Sequence, residues 1–142
     1  MSAFNKFNRF LTDVAAGVHA NALNADTDTL KVYLSNVAPV ATNTIKGNIA
    51  EIAATGNYPA GGGDVQNAAT TAAGVITVAG TDYTFQASGG TIGPFQYAIL
   101  YNDTPSSPVD PLIGWWDYGS AVTLQDGESF KVDFGASLFS IG

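Results

Sequence analysis

The chain has no cysteine, a single histidine and few charges: five Lys and Arg against twelve Asp and Glu in 142 residues. Without cysteine there is no disulfide, no thiol nucleophile and no thiolate metal site. The compartment stays open, because such a chain tolerates reducing and oxidising surroundings alike. A zinc site needs several histidines or cysteines and is excluded by composition. A Ser-His-Asp triad would have to use His19, between Val18 and Ala20 in a helical segment. A surface or interface histidine is the expected role instead. No apolar run approaches the roughly 18 residues of a membrane span. Residues 1–22 place Lys6 and Arg9 before an Ala/Val stretch, but Thr12 and Asp13 interrupt it and Phe4 and Phe7 occupy the leader. No export signal is expected.

The net charge is −7, which repels phosphate backbones, so no nucleic-acid partner is expected. The cations Lys6, Arg9, Lys31, Lys46 and Lys131 form no basic strip. Charged residues make up 12% of the chain, about half the globular norm of roughly 25%. Two readings follow: a neutral, polar Gly/Ala/Thr/Ser-rich β surface, or a subunit hiding much of its surface against partners, since interface centres are poor in charge.

What is present is alternation. Phe95, Tyr97, Ile99 and Tyr101 alternate with Gln96, Ala98, Leu100 and Asn102, and Phe130, Val132 and Phe134 alternate with Lys131 and Asp133. On strands this places the aromatics on one face. Further strands are expected at Leu30–Ser35, weakly at Asp64–Thr71, then at Leu112–Tyr118, Ala121–Leu124, Ser129–Phe134 and Leu138–Ile141. Val75–Ala79 and Tyr83–Ala87 read as a hairpin turning near Gly80 and Thr81. Residues 55–63, rich in Gly and Pro, predict a mobile surface loop. About eight or nine short strands without strand–helix alternation imply a mainly β, antiparallel β-sandwich or jelly roll.

The first third differs. Phe4, Phe7, Leu11, Val14 and Val18 lie at spacings of three and four, a helical stripe, with Gly17 a candidate end. Ile45, Ile49 and Ile52 suggest one short additional helix. The domain reading is an N-terminal helical arm over 1–22 and a single β-sandwich over 23–142. The helix either covers its own domain's core or docks on a neighbouring subunit, since an isolated helix of this length is marginal in water.

Chemistry is sparse. Glu51, Asp103, Asp110, Asp117, Asp126 and Glu128 are carboxylates from which a glycosidase pair could be drawn. Most sit in expected loops, where Asp braces turns. Trp115-Trp116-Asp117-Tyr118 suggests a sugar platform, but Trp115 and Asp117 face one way on a strand and Trp116 and Tyr118 the other, so one pair belongs to the core. Asp26-Thr27-Asp28 and Asp126-Gly127-Glu128 offer oxygen ligands for calcium without completing an EF-hand. Gly61–Gly63 precede neither a helix nor a Lys-Ser/Thr pair and form no phosphate loop. No enzyme activity, cofactor or metal is expected.

Four stretches carry a resemblance: residues 31–40 (KVYLSNVAPV), 92–103 (IGPFQYAILYND), 113–119 (IGWWDYG) and 126–130 (DGESF) running on to Asp133-Phe134. In this order the chain resembles small virion structural proteins of tailed bacteriophages, over roughly residues 4–134. The resemblance implies a non-enzymatic part of the virion, foremost a capsid decoration (cement) protein with a jelly-roll core. Such a protein is made in the host cytoplasm and binds the outer capsid surface as a homodimer or homotrimer, with the major capsid protein as partner. A neck or tail component is the alternative, and a carbohydrate-binding host-recognition module is another. The residues expected at an interface are Phe4, Phe7, Leu11, Val14, Trp115, Trp116 and Tyr118.

Overall fold

The computed structural model describes residues 3–25 and 27–142. The chain is mainly antiparallel β. Its strands are β1 (Asn5–Lys6), β2 (Leu30–Ser35), β3 (Gly63–Asp64), β4 (Ala68–Ala72), β5 (Val75–Ala79), β6 (Tyr83–Gln86), β7 (Ile92–Asn102), β8 (Leu112–Leu124), β9 (Ser129–Val132) and β10 (Phe139–Ile141). The α-helix α1 (Asn8–Ala15) follows β1, and a one-turn π-helix, Asn21–Ala25, precedes β2. A five-stranded sheet runs β1-β8-β7-β2-β3; a three-stranded sheet runs β10-β5-β4, and β6 pairs with β9.

Both faces of β2, of most of β7 and of the first half of β8 are buried, whereas β1 and much of the second half of β8 are exposed. From β2 and β7, Leu30, Val32, Leu34, Ala98 and Leu100 enter the main core, which also takes Val78, Phe85, Val132 and Phe139 from the smaller sheets. The opposite row, Tyr33, Ile99, Tyr101 and Leu112, is closed over by Phe7 and Ile49 in a second, smaller cluster. Tyr97, Ile99 and Tyr101 are therefore largely covered by their own chain, whereas Phe95, expected on the same face, lies beyond a bulge and turns into the main core.

Bulges let β8 serve both cores. Leu100 faces Gly114 and Tyr101 faces Leu112, so Ile113 is the extra residue. Ile113 and Trp116 then join the main core, while Trp115 packs on Phe7 at 4.5 Å. The opposed facing of Trp115 and Trp116 is as the alternation requires.

Several local expectations are corrected. The hairpin expected between Val75–Ala79 and Tyr83–Ala87 does not form: β5 pairs with β4 and β10, and β6 with β9. Ala73 and Gly74 both have positive φ (53° and 79°), and their two-residue turn closes β4 onto β5 instead. At the intended turn, the Thr81 N–H donates to the Val65 carbonyl at 2.7 Å and Asp82 accepts from the Phe134 N–H at 2.9 Å, so the chain leaves for the other sheet. The Ile45/Ile49/Ile52 pattern yields only one 3-10 turn, Lys46–Asn48. The Asn48 side chain takes the Thr44 and Ile45 N–H groups at 2.9 and 3.2 Å, competing with a longer helix.

The third correction concerns residues 55–63, which are pinned. Tyr58 is buried and stacks on Phe85. Its hydroxyl donates to Glu51 at 2.8 Å and accepts the Leu34 N–H at 3.0 Å. The Gly61 N–H also donates to Glu51, at 2.7 Å, and the Tyr101 hydroxyl donates to the Gly61 carbonyl at 2.6 Å. Lys46 completes the lock, 2.9 Å from Glu51 and 4.8 Å from the Tyr33 ring centroid. Gly62, at φ +86°, passes so close to Val32 that a Cβ would overlap its carbonyl. The glycines permit contact here.

The N-terminal segment is stitched to β8. Asn5 and Lys6 pair with Trp115 and Gly114, so Phe4 and Phe7 lie on extended backbone and share no helical stripe. Strand pairing claims them, and α1 starts only at Asn8. Gly17 ends the helix as expected: its N–H bonds the Val14 carbonyl, and the Val18 N–H bonds that of Asp13, a Schellman cap with Gly17 at φ +79°. At Gly114 a Cβ would overlap the Phe4 ring and lie 2.6 Å from the Asn5 carbonyl. Gly114→Ala should therefore cost about 1–3 kcal/mol of stability, read as a lowered urea midpoint with an unchanged m-value. A variant as stable as the parent would show that β1 does not sit on β8.

Candidate interaction groove

Strands β1 and β10 are each the edge of a sheet, and the two lie side by side without pairing. Phe4 stacks on Phe139 with centroids 6.1 Å apart, and Phe10 meets Phe139 edge-on at 5.1 Å. Between α1 and β10 runs a groove of about 630 Å³, lined by Phe4, Lys6, Phe10, Leu11 and Ser137–Gly142. A smaller hollow of about 340 Å³ continues it past Phe4 to Trp116 and Phe134. The groove presents apolar side chains beside an unpaired strand edge, the combination that accepts an extended segment as an added strand. Among the described residues no Asp or Glu lines the groove itself, whereas Asp133 lines the hollow. Arg9, Lys31, Lys46 and Lys131 are held in ion pairs; among the described residues, Lys6 is the cation outside any pair.

The seven expected interface residues divide. Phe7 is 0% and Trp116 5% exposed, so both belong to the monomer's interior. Phe4, Val14 and Trp115 are half-buried. Leu11 at 49% and Tyr118 at 51% are open, but only Leu11 and Phe4 reach the groove. Tyr118 rests on Phe130 at 5.1 Å, elsewhere on the sheet. Pattern reasoning missed Phe10, Phe139 and Ile141. Phe10 was visible, since Phe7, Phe10 and Val14 also fit helical spacing. That the last strand would lie beside the first was not.

All the candidate catalytic carboxylates but Asp110 are engaged in structure. Glu51 belongs to the loop lock, and Asp103 pairs with Lys31 at 3.1 Å. Asp117 accepts from Gln96 and from the Gly119 N–H. Asp126 accepts the Gly89 N–H and Glu128 that of Gln125. Burial, then Asp103, raises the Asp110 carboxyl above its ordinary range. Burial likewise raises the hydroxyls of Tyr33, Tyr58 and Tyr101, keeping them as neutral donors. Of the expected calcium pair, Asp28 is buried and bonded to Asn102, whereas Asp26 lies outside the described residues. Among the described residues no three His, Cys, Asp or Glu side chains gather as a metal site, and no helix is long and apolar enough to cross a membrane. His19, expected at a surface or interface, is 1% exposed beneath Phe10.

Neither the protein-family models, nor the curated proteins, nor the solved structures compared with the chain give a match.

This partition between interior and surface is measurable. Phe7→Ala and Trp116→Ala should each cost about 3–5 kcal/mol, as core aromatics do, whereas Leu11→Ser and Tyr118→Ser should stay within about 0.5 kcal/mol. Urea unfolding of the four variants checks it. Equal losses at all four positions would contradict the assignment.

Proposed function

We propose that the chain is a non-enzymatic structural subunit of a tailed-phage virion, a decoration or cement protein whose groove grips the major capsid protein on the outer shell. The observation carrying this reading is the groove itself: a channel that sets Phe4, Phe10, Leu11 and Ile141 beside an unpaired strand edge, on a chain otherwise strongly acidic. The resemblance of residues 4–134 to small virion proteins supplies the biological setting. A cement subunit repeats one modest contact at many symmetry-related places, so avidity provides the hold that each copy lacks. In this reading Leu11, Phe4 and Ile141 are the apolar contacts and Lys6 meets a carboxylate of the shell.

The two small sheets stacked on one face of the large sheet support a β-sandwich. Jelly-roll order would send successive strands to alternate sheets. Here β7–β8 and β4–β5 are hairpins within one sheet, so we favour a sandwich with local hairpins. The helical arm is, in this reading, a wall of the groove, seated on its own core through Phe7 and Phe10. Self-association as a dimer or trimer fits the low charge content. Copy number separates cement from the neck or tail alternative: quantitative mass spectrometry of purified virions should find hundreds of copies, whereas a neck ring holds on the order of a dozen. The carbohydrate-binding alternative retains only Tyr118 as a well-exposed aromatic.

Leu11→Asp combined with Lys6→Glu should keep the fold and reduce retention on shells at least tenfold, the order expected for an anchor worth about 2 kcal/mol. Undiminished retention by that double variant would remove the groove from the contact.

A further inference from the structure

The junction between α1 and the sheet encloses a polar network that the groove does not use. His19, Asp13, Asp28 and Asn102 are all buried. The Asn102 side-chain amide donates one hydrogen to Asp28 Oδ2 at 2.9 Å and directs the other at His19 Nδ1, 3.2 Å away. Its orientation is fixed from both ends, because Asn102 Oδ1 accepts the Thr104 N–H at 3.2 Å. His19 Nδ1 is therefore an acceptor, and the ring is neutral with its proton on Nε2. That Nε2 and Asp13 Oδ2 are the two buried side-chain polar atoms left without a partner among the described residues. Asp13 itself is held by Arg9 through Oδ1 at 2.9 Å.

A proton added at Nδ1 would set N–H against N–H₂. Turning the Asn102 amide to receive it would point Oδ1 at the Asp28 carboxylate and forfeit the Thr104 bond. The network accepts only the neutral ring.

We propose that His19 is an acid-sensitive latch: neutral, it seals α1 and the following turn, Asn21–Ala25, against the end of β7, and its protonation releases that segment together with the Phe10 wall of the groove. The mechanical link is direct. Phe10 touches the His19 ring on one side, with centroids at 5.2 Å, and Phe139 on the other. The His19 carbonyl also anchors the turn through the N–H groups of Ala22 and Leu23, both at 3.0 Å.

The charged groups facing the ring are Asp13 from α1, with Arg9 on its far side, and Asp28 from the segment before β2; β7 contributes only the uncharged Asn102. Burial lowers the affinity of His19 for a proton, outweighing the opposing pull of Asp13 and Asp28. The released segment binds that proton with the ordinary value of 6.5. Stability contributed by the closed latch is thus complete above that value and drains away as pH falls below it, because the open form binds more protons.

Hydrogen exchange at the Ala22 and Leu23 amides tests this, after correction for the intrinsic pH dependence of exchange. Opening should become about five- to tenfold more frequent between pH 7.5 and 5.5, while amides in the middle of β7 keep their protection. His19→Gln retains Asp13, Asp28 and Asn102, and should flatten that response. An unchanged response in His19→Gln would overturn the proposal. Should that variant fail to fold, the imidazole resonance of the native chain decides, since its one histidine needs no assignment. Titration below 6.5 supports the latch, and titration at or above it overturns the latch.

Discussion

Burial of the central sheet on both faces is the constraint from which the rest of the structure follows. A strand covered on one side only can leave an aromatic row for a partner. Here β2, β7 and the first half of β8 are covered on both, by the small sheets on one side and by Phe7, Ile49 and the Glu51 lock on the other. The second cover consumes residues 36–62, which form almost no regular structure and are nevertheless tied down. It also draws the N-terminal segment onto β8, because Phe7 must reach Tyr33 and Ile99.

The edges then define what the molecule presents. Strands β1 and β10 end two different sheets side by side, and neither closes the gap between them. Had they paired, the sheets would have joined and the groove vanished. The open edge is flanked by Leu11 and Ile141 and carries the unpaired Lys6. Most other charges are committed: four cations to ion pairs, and most of the carboxylates to backbone N–H groups at turns.

The sequence disclosed local period and little else. Alternation in β7 and β2 was plain, but that both faces of these strands would be dry was not, since it depended on Phe7 and Ile49 reaching Tyr33, Ile99 and Tyr101. The Gly17 cap was legible because a positive-φ stop after an amphipathic turn is a local event. The pairing of β5 was not, since a two-residue Ala-Gly turn is a weaker signal than Gly80-Thr81 and the outcome depended on Asp82 finding Phe134 52 residues away. Gly61 and Gly62 looked like flexibility. Only the position of Val32 and Tyr101 shows that they permit close approach. His19 met Asn102 across 83 residues, and no periodicity reports such a meeting.

The proposed grip on a shell runs through the channel between the first helix and the last strand. Cryo-electron microscopy of the intact particle decides it. Density for this fold is expected on the outer capsid surface, with Leu11 and β10 against the major capsid protein and a strand of the shell beside Ser140. Particles in which that channel faces open solvent, or from which the chain is missing, would contradict it.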